Sequence, residues 1–308
     1  MLPPPPPPLP PLCPPPPLPV NFTSSDVDRI NLALNIHYLQ AEFFLHAAFG
    51  HGLDKVNAKL AKKGPPPVGG RKAQLSTRME HVAKELGLQS TGHIRAIHDK
   101  LDKQSICRPL LNISVGVWDS LISKALIHNH TEVDGGGSLH FDPYENDANF
   151  LIAAYVIPYI GLNTLVDSSN RVTGIQARKL VSGLMGVQAG QDAVIRTLLF
   201  EIMENKLPPY NVTVAKLTNL VSDLRHKLDH TRKADEGLSV HQNRGAEKQV
   251  NGNLISANDY SMAISRSPQQ ILQVLYGTGD ASVPGLFFPK GANGKIAGIF
   301  LKPRRPKL

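Results

Sequence analysis

The chain has 308 residues, two cysteines and a formal net charge of +8, a length that suits one large domain or one domain with an appendage. Half of the charge excess sits in Lys302, Arg304, Arg305 and Lys307 at the very end, which argues against a nucleic-acid-binding face. Cys13 and Cys107 fit no disulfide framework and no zinc motif. The longest uninterrupted apolar stretch, residues 150–161, is too short to span a membrane and contains Pro158, so no transmembrane segment is expected.

Thirteen of the 26 prolines fall in the first nineteen residues, a composition that favours polyproline II and cannot pack a core. Residues 1–22 are therefore expected to be a disordered head. From Asp26 onward Ile30, Leu34, His37, Ala41, Phe44 and Ala48 recur at helical spacing, with Ser24-Ser25-Asp26 as N-cap chemistry and Gly50 as the stop. A Pro/Gly-rich loop at 64–70 follows. A second stripe, Met79, Val82, Leu86, Ser90, His93, Ile97 and Leu101, ends before Arg108-Pro109. A shorter apolar helix over 109–127 holds the single tryptophan, Trp118, and a loop with Gly135-Gly-Gly leads on.

The third long helix, about 144–168, is expected to kink at Pro158. The fourth runs from about 171 to 205 with Leu184, Gln188, Gln191, Ile195, Leu198 and Ile202 on one side, and an amphipathic fifth covers about 213–230. No segment alternates with the two-residue period of a strand. The pattern predicts an all-α protein: a four-helix bundle over 23–232 with an extra amphipathic helix. An irregular C-terminal wrap over 233–300, with one short helix near 268–276, and a basic tail over 301–308 complete the expected organisation.

Each long helix interrupts its own apolar stripe with polar residues: His37 and Gln40, Ser90 and His93, Tyr155 beside Pro158, Gln188 and Gln191. Three-residue spacing places each pair on one helix face. If the four stripes face one another, these groups meet in the bundle centre, where they must form a network or bind something. Bundles that hold two metals use inward Glu and Glu-x-x-His pairs. Here the same spacings carry Ser90-x-x-His93 and Gln188-x-x-Gln191, which supply no negative charge, so no metal and no cofactor is expected. One reading is a satisfied structural network. A second is a small, mainly apolar ligand held by Gln40, Ser90, Gln188 and Gln191. A third is metal-free acid/base catalysis by His37, His93 and Tyr155, of an isomerase, cyclase or lyase type, with the two histidines exchanging protons near neutral pH. A residual metal-dependent oxidase is the fourth.

Several motifs in order, among them Asn35-Ile-His-Tyr-Leu-Gln-Ala-Glu-Phe-Phe-Leu, Gly64-Pro-Pro-Pro-Val-Gly-Gly, Gly92-His-Ile-Arg-Ala-Ile, Tyr155-Val-Ile-Pro-Tyr-Ile-Gly-Leu, Gly190-Gln-Asp-Ala-Val-Ile-Arg-Thr-Leu-Leu and Phe288-Pro-Lys-Gly-Ala, resemble the plant desiccation-related proteins with a ferritin-like domain. The resemblance covers about residues 22–300 and implies a ferritin-like bundle in a secreted, stress-linked protein of the apoplast, cell wall or vacuole. The chain departs from the family where it tends to carry metal ligands: His37, Gln40, Ser90 and Gln188 replace Glu, and His93 remains; Pro158 and Gln191 stand where related bacterial ferritin-like proteins carry a further Glu and a His. Iron storage is not expected.

Glycosylation triplets start at Asn21, Asn112, Asn129 and Asn211. The His226-x-x-x-His230 pair, surrounded by Arg225, Lys227, Asp229 and Arg232, reads as a solvated helix face, and His128-x-His130 as an exposed loop. Asp192 is expected to pair with Arg196 one turn along. No nucleic-acid partner is expected, and no residue pattern fixes an oligomeric state.

Overall fold

The structure, a computed structural model, describes residues 21–128, 140–231 and 236–301. The proline-rich head, Cys13, the Gly135 loop, Asn129, His130 and the terminal basic run lie outside the described residues. The helices are α1 (Ser24–Phe49), α2 (Leu53–Asn57), α3 (Thr77–Leu101), α4 (Val115–His128), α5 (Asp147–Ser169), α6 (Ile175–Glu201), α7 (Val214–Asp229), α8 (Pro268–Tyr276) and α9 (Lys295–Leu301). The strand content among the described residues is one small antiparallel pair, Lys206–Leu207 with Val212–Thr213. The expected all-α class is thus observed.

Local chemistry explains the helix ends. The cap of α1 is Thr23, one residue ahead of the serines expected to serve: its hydroxyl accepts from Asp26 N–H while the Asp26 carboxylate accepts from Thr23 N–H. Gly50 closes the helix at φ 75°, a left-handed conformation glycine adopts without strain. Asp26 also accepts from Thr173 and Gly174 N–H, so one carboxylate fastens the start of α1 to the turn that starts α6. Ser76, Asn146, Thr213 and Ser267 cap α3, α5, α7 and α8 in the same way.

The helices α1 and α3 pack as one close pair and α5 and α6 as another, with α1 against α5 and α6 against α1 and α3. The long passage from α3 to α5, which includes α4, is the crossover that lets two helical hairpins form a single bundle. Phe43, Phe44, Trp118, Phe150 and Phe287 stack at its heart, with Phe43 and Phe150 parallel at 5.7 Å between ring centres and Trp118 and Phe287 at 4.8 Å. The helix α5 alone is long and apolar enough among the described residues to cross a membrane, contrary to what its longest apolar run suggested; 94% of that stretch is buried inside the protein, as the central helix of a packed core would be.

The segment from Glu236 onward lies against the bundle through named bonds. Arg196 donates to the carbonyls of Glu236, Gly237, Asn253 and Leu254, Asn163 donates to Ile264, and Asn35 exchanges two hydrogen bonds with the backbone of Asn293. The helix α9 was not anticipated; its Ala297 is buried and it packs on α1 and α8.

The face holding His226 is corrected by the structure. Arg225, His226 and Asp229 are buried, because Glu236 and Arg266 from the extension close over them. The spacing of charges on one helix contains no signal of a distant segment that neutralises them. His230 does stay exposed, bonded to the Gly279 carbonyl.

Candidate functional site

Four of the singled-out residues meet in the bundle centre. His37 and Gln40 come from α1, His93 from α3 and Gln188 from α6, all buried. His37 Nδ1 lies 3.1 Å from Gln40 Oε1. An amide oxygen only accepts, so Nδ1 carries the hydrogen and Nε2 presents a lone pair. The His37 and His93 rings stand edge to face with centres 4.9 Å apart. Gln188 Nε2 donates to the Pro158 carbonyl at 3.1 Å, which ties α6 to α5 at the proline.

Four further polar atoms of this group have no protein partner: His37 Nε2, Gln40 Nε2, His93 Nδ1 and Gln188 Oε1 are buried and unbonded. Gly161, one turn after Pro158, makes the arrangement possible. A Cβ there would sit 2.8 Å from Gln40 Nε2 and 3.2 Å from Gln188 Cδ, so only a glycine lets both amides stand over α5 undisturbed. Gly161 and the Pro158 carbonyl were not foreseen; the i+3 offset from Pro158 was the available signal.

Other expected members are placed differently. Gln191 is buried one turn along α6 from Gln188, where its Nε2 donates to Gln89 Oε1 at 3.0 Å and joins α6 to α3, while its Oε1 is unpartnered. Ser90 is buried but spends its hydroxyl on the Leu86 carbonyl of its own helix. Tyr155 is turned away: its hydroxyl donates to the Glu236 carbonyl at 2.6 Å and its ring faces the guanidinium groups of Arg196 and Arg225. The residue shares a helix with Pro158 but belongs to the contact with the extension. Asp192 forms no bond to Arg196; its buried Oδ1 is unpartnered while Arg196 is occupied by four backbone carbonyls. Burial raises its carboxyl to about 6.

Electrostatics follow from burial. Desolvation lowers His37 to about 3, helped by the neighbouring His93, and lowers His93 to about 4. Both imidazoles are neutral at physiological pH, so the proton exchange near neutrality expected from ordinary histidines does not hold for this site. Among the described residues no three His, Cys, Asp or Glu side chains gather in a group able to hold a metal ion. Glu42, the carboxylate nearest in sequence, is fully buried against Arg108, which also pairs with Asp54. It accepts in addition from Leu53 N–H at 3.3 Å.

The imidazole shifts carry a pH prediction. Above about pH 6.5, the ordinary imidazole value, both states hold these histidines neutral. As pH falls towards 4 the unfolded chain takes up protons that the folded chain refuses, so folding weakens across that window. Asp192 opposes this, holding its proton in the fold between about pH 4 and 6 where the unfolded chain has released it. His46 and His98, lowered by burial, and Asp26 and Glu236, held below the ordinary carboxylate range by their partners, act in the same direction as the two histidines, against Asp192 and Glu42, and set the net sign. Urea unfolding is expected to show a lower midpoint at pH 4.5 than at pH 7, and the drop is expected to shrink when His37 is replaced by an apolar residue.

A model of the ferritin-like domain family matches residues 25–201. The chain is 40% identical over 277 residues to the ferritin-like catalase Nec2 of Nesocodon mauritianus, spanning 90% of this chain and 86% of that protein. It is 38% identical over 282 residues to the desiccation-related protein PCC13-62 of Craterostigma plantagineum, spanning 91% and 87%. No solved structure matches it.

Proposed function

The chain belongs to the plant desiccation-related proteins with a ferritin-like domain, and from that premise we propose that its bundle centre has left two-metal chemistry and binds a small, mainly apolar molecule. The observation that carries this reading is the convergence of His37, Gln40, His93 and Gln188, each fully or almost fully buried and each with an unpartnered polar atom. Buried polar groups left without partners cost about 1–3 kcal/mol each. A purely structural network would bond them to one another.

The residues present do not fit a di-metal centre. Two divalent ions need several carboxylates to balance their charge, supplied in ferritin-like di-metal proteins by Glu on every helix of the bundle. Here the positions hold neutral amides, a hydroxyl bonded to its own helix and two imidazoles, and Glu42 is committed to Arg108.

A second reading is favoured by one observation, the 40% identity to a ferritin-like catalase. The two separate cleanly. After purification and reconstitution with Fe(II), Mn(II) and Zn(II), elemental analysis is expected to find far fewer than two ions per chain and no oxygen release from peroxide. Two ions per chain with peroxide turnover would establish the second reading and overturn the first.

A secretory route forms part of the proposal and gives a prediction. Asn21 and Asn211 are exposed, whereas Asn112 is half-buried and its Oδ1 accepts from Ser114 N–H at 3.1 Å. Expressed through a secretory pathway, the protein is expected to carry glycans at Asn21 and Asn211 and none at Asn112, as read by peptide mass spectrometry after glycan removal.

A further inference from the structure

We propose that the outer face of α6 is the interface of a homodimer, in which two copies of this chain pair their α6 helices antiparallel about a two-fold axis at Gly190.

The face is an exposed helix surface without charge. Between Lys179 and Glu201 the charged residues of α6 are Asp192 and Arg196, and both are buried. What lies open along that span is apolar or small: Val187 at 41% and Val194 at 46% exposure, Phe200, and Gly183, Gly186 and Gly190. A helix side that faces water ordinarily carries charged and polar residues. Leu88, exposed on α3 beside the Gln89 that bonds Gln191, widens the patch. Contiguous exposed apolar surface marks an interaction site.

Nothing within the chain requires the glycines. A Cβ at Gly183, Gly186 or Gly190 would meet nothing within 4 Å, and none of the three has a positive φ. Glycine in a helix interior weakens the helix, and a second backbone lying close against this face is what uses the space they leave.

The charges at the two ends identify the partner. Lys179 stands near the start of α6 and Glu201 is its last residue, the reverse of the placement that the dipole of α6 favours. By the helix period Lys179, Gly183, Gly186, Gly190, Thr197 and Glu201 share one line along the helix, with Gly190 eleven residues from either charge. An antiparallel copy crossing at Gly190 therefore sets each Lys179 against the Glu201 of the second copy and each Val194 over the space left by Gly186. Both contacts occur twice, as an isologous two-fold interface requires. A shallow crossing of about 20° keeps both ends within reach. In its own chain Glu201 has Arg78 at 3.3 Å, with both side chains more than half exposed. Such a pair contributes little and leaves the carboxylate able to take a second cation.

Sedimentation velocity of the full chain at about 1–100 μM tests the interface. The wild type is expected at twice the chain mass. Gly190→Arg puts a charge on the axis, at a position where a side chain meets nothing in its own fold. It is expected to run as a monomer with unchanged helical circular dichroism, the dimer Kd raised at least about 100-fold. Lys179→Glu is expected to raise that Kd about 10-fold, and Lys179→Glu/Glu201→Lys to return it to within about 3-fold of the wild type, a rescue that only the antiparallel register predicts. Val194→Glu repeats the axis test should Gly190→Arg lose helicity. A monomeric wild type would overturn the proposal, whether residues 1–20 or a different protein cover the face. So would a dimer that survives both Gly190→Arg and Val194→Glu, since it uses another surface, or one in which the charge exchange brings no rescue.

Discussion

Glu236→Gln is expected to destabilise the protein by about 3–5 kcal/mol, the scale of breaking a buried ion pair from one side. The carboxylate is fully buried, accepts from Arg225 Nη1 at 2.6 Å and is ion-paired with Arg266 Nη2 at 2.8 Å. Arg266 is shared with Asp229 at 2.7 Å, and the Tyr155 and Tyr159 rings face Arg225. Glutamine keeps the size and removes the charge, leaving Arg196, Arg225 and Arg266 with Asp229 as the remaining paired carboxylate. The two arginines hold the Glu236 carboxyl below the ordinary range despite its burial, so the loss is the same in kind as acidification. Urea unfolding at pH 7 reads the change. Because Glu236 anchors the extension, limited proteolysis is expected to cut first between residues 237 and 265 in the variant. In Arg225→Met/Glu236→Leu both charges of one pair are gone, and the penalty is expected to be smaller than the sum of the single changes.

The second large effect has the opposite sign. His37→Phe/Gln40→Met is expected to leave the protein more stable than the wild type, by about 1–3 kcal/mol for each unpartnered group removed. The pair bonds internally and carries two unmet atoms, His37 Nε2 and Gln40 Nε2. Replacing both with apolar groups of similar volume removes the unmet atoms together. Each single change leaves the other partner with a further unmet atom and is expected to destabilise. A gain in stability with loss of ligand binding is the signature of a site maintained against the interest of the fold. A double variant that melts well below the wild type would assign these residues to a structural network.

Helical periodicity carries far in this chain because the bundle is made of long stripes. The starts and ends of α1, α3, α5, α6 and α7 fall within a few residues of their expected positions, as their Ser, Thr, Asn and Gly caps lie in plain view. The convergence of His37, Gln40, His93 and Gln188 was legible for the same reason: residues that interrupt facing stripes at one level must meet. Tyr155 was not, since the stripe of α5 is apolar all round and one helix period cannot say which neighbour a side chain meets. The buried charges were invisible for a different reason. Glu42 with Arg108 and Glu236 with Arg225 and Arg266 are brought together by loops and the extension, whose path no local pattern encodes. Gly52 shows the same dependence: a Cβ there would fall 1.7 Å from Glu42 Oε2, a constraint that exists only once the loop has folded over α1.

The most direct measurement is a crystal structure of the protein made by a plant secretory host, with anomalous data collected at the iron and manganese edges. The account predicts no anomalous scatterer in the bundle centre and a compact density feature in contact with His37 Nε2, Gln40 Nε2 and Gln188 Oε1. Two anomalous peaks among His37, His93, Gln188 and Gln191 would contradict it and return the protein to metal chemistry.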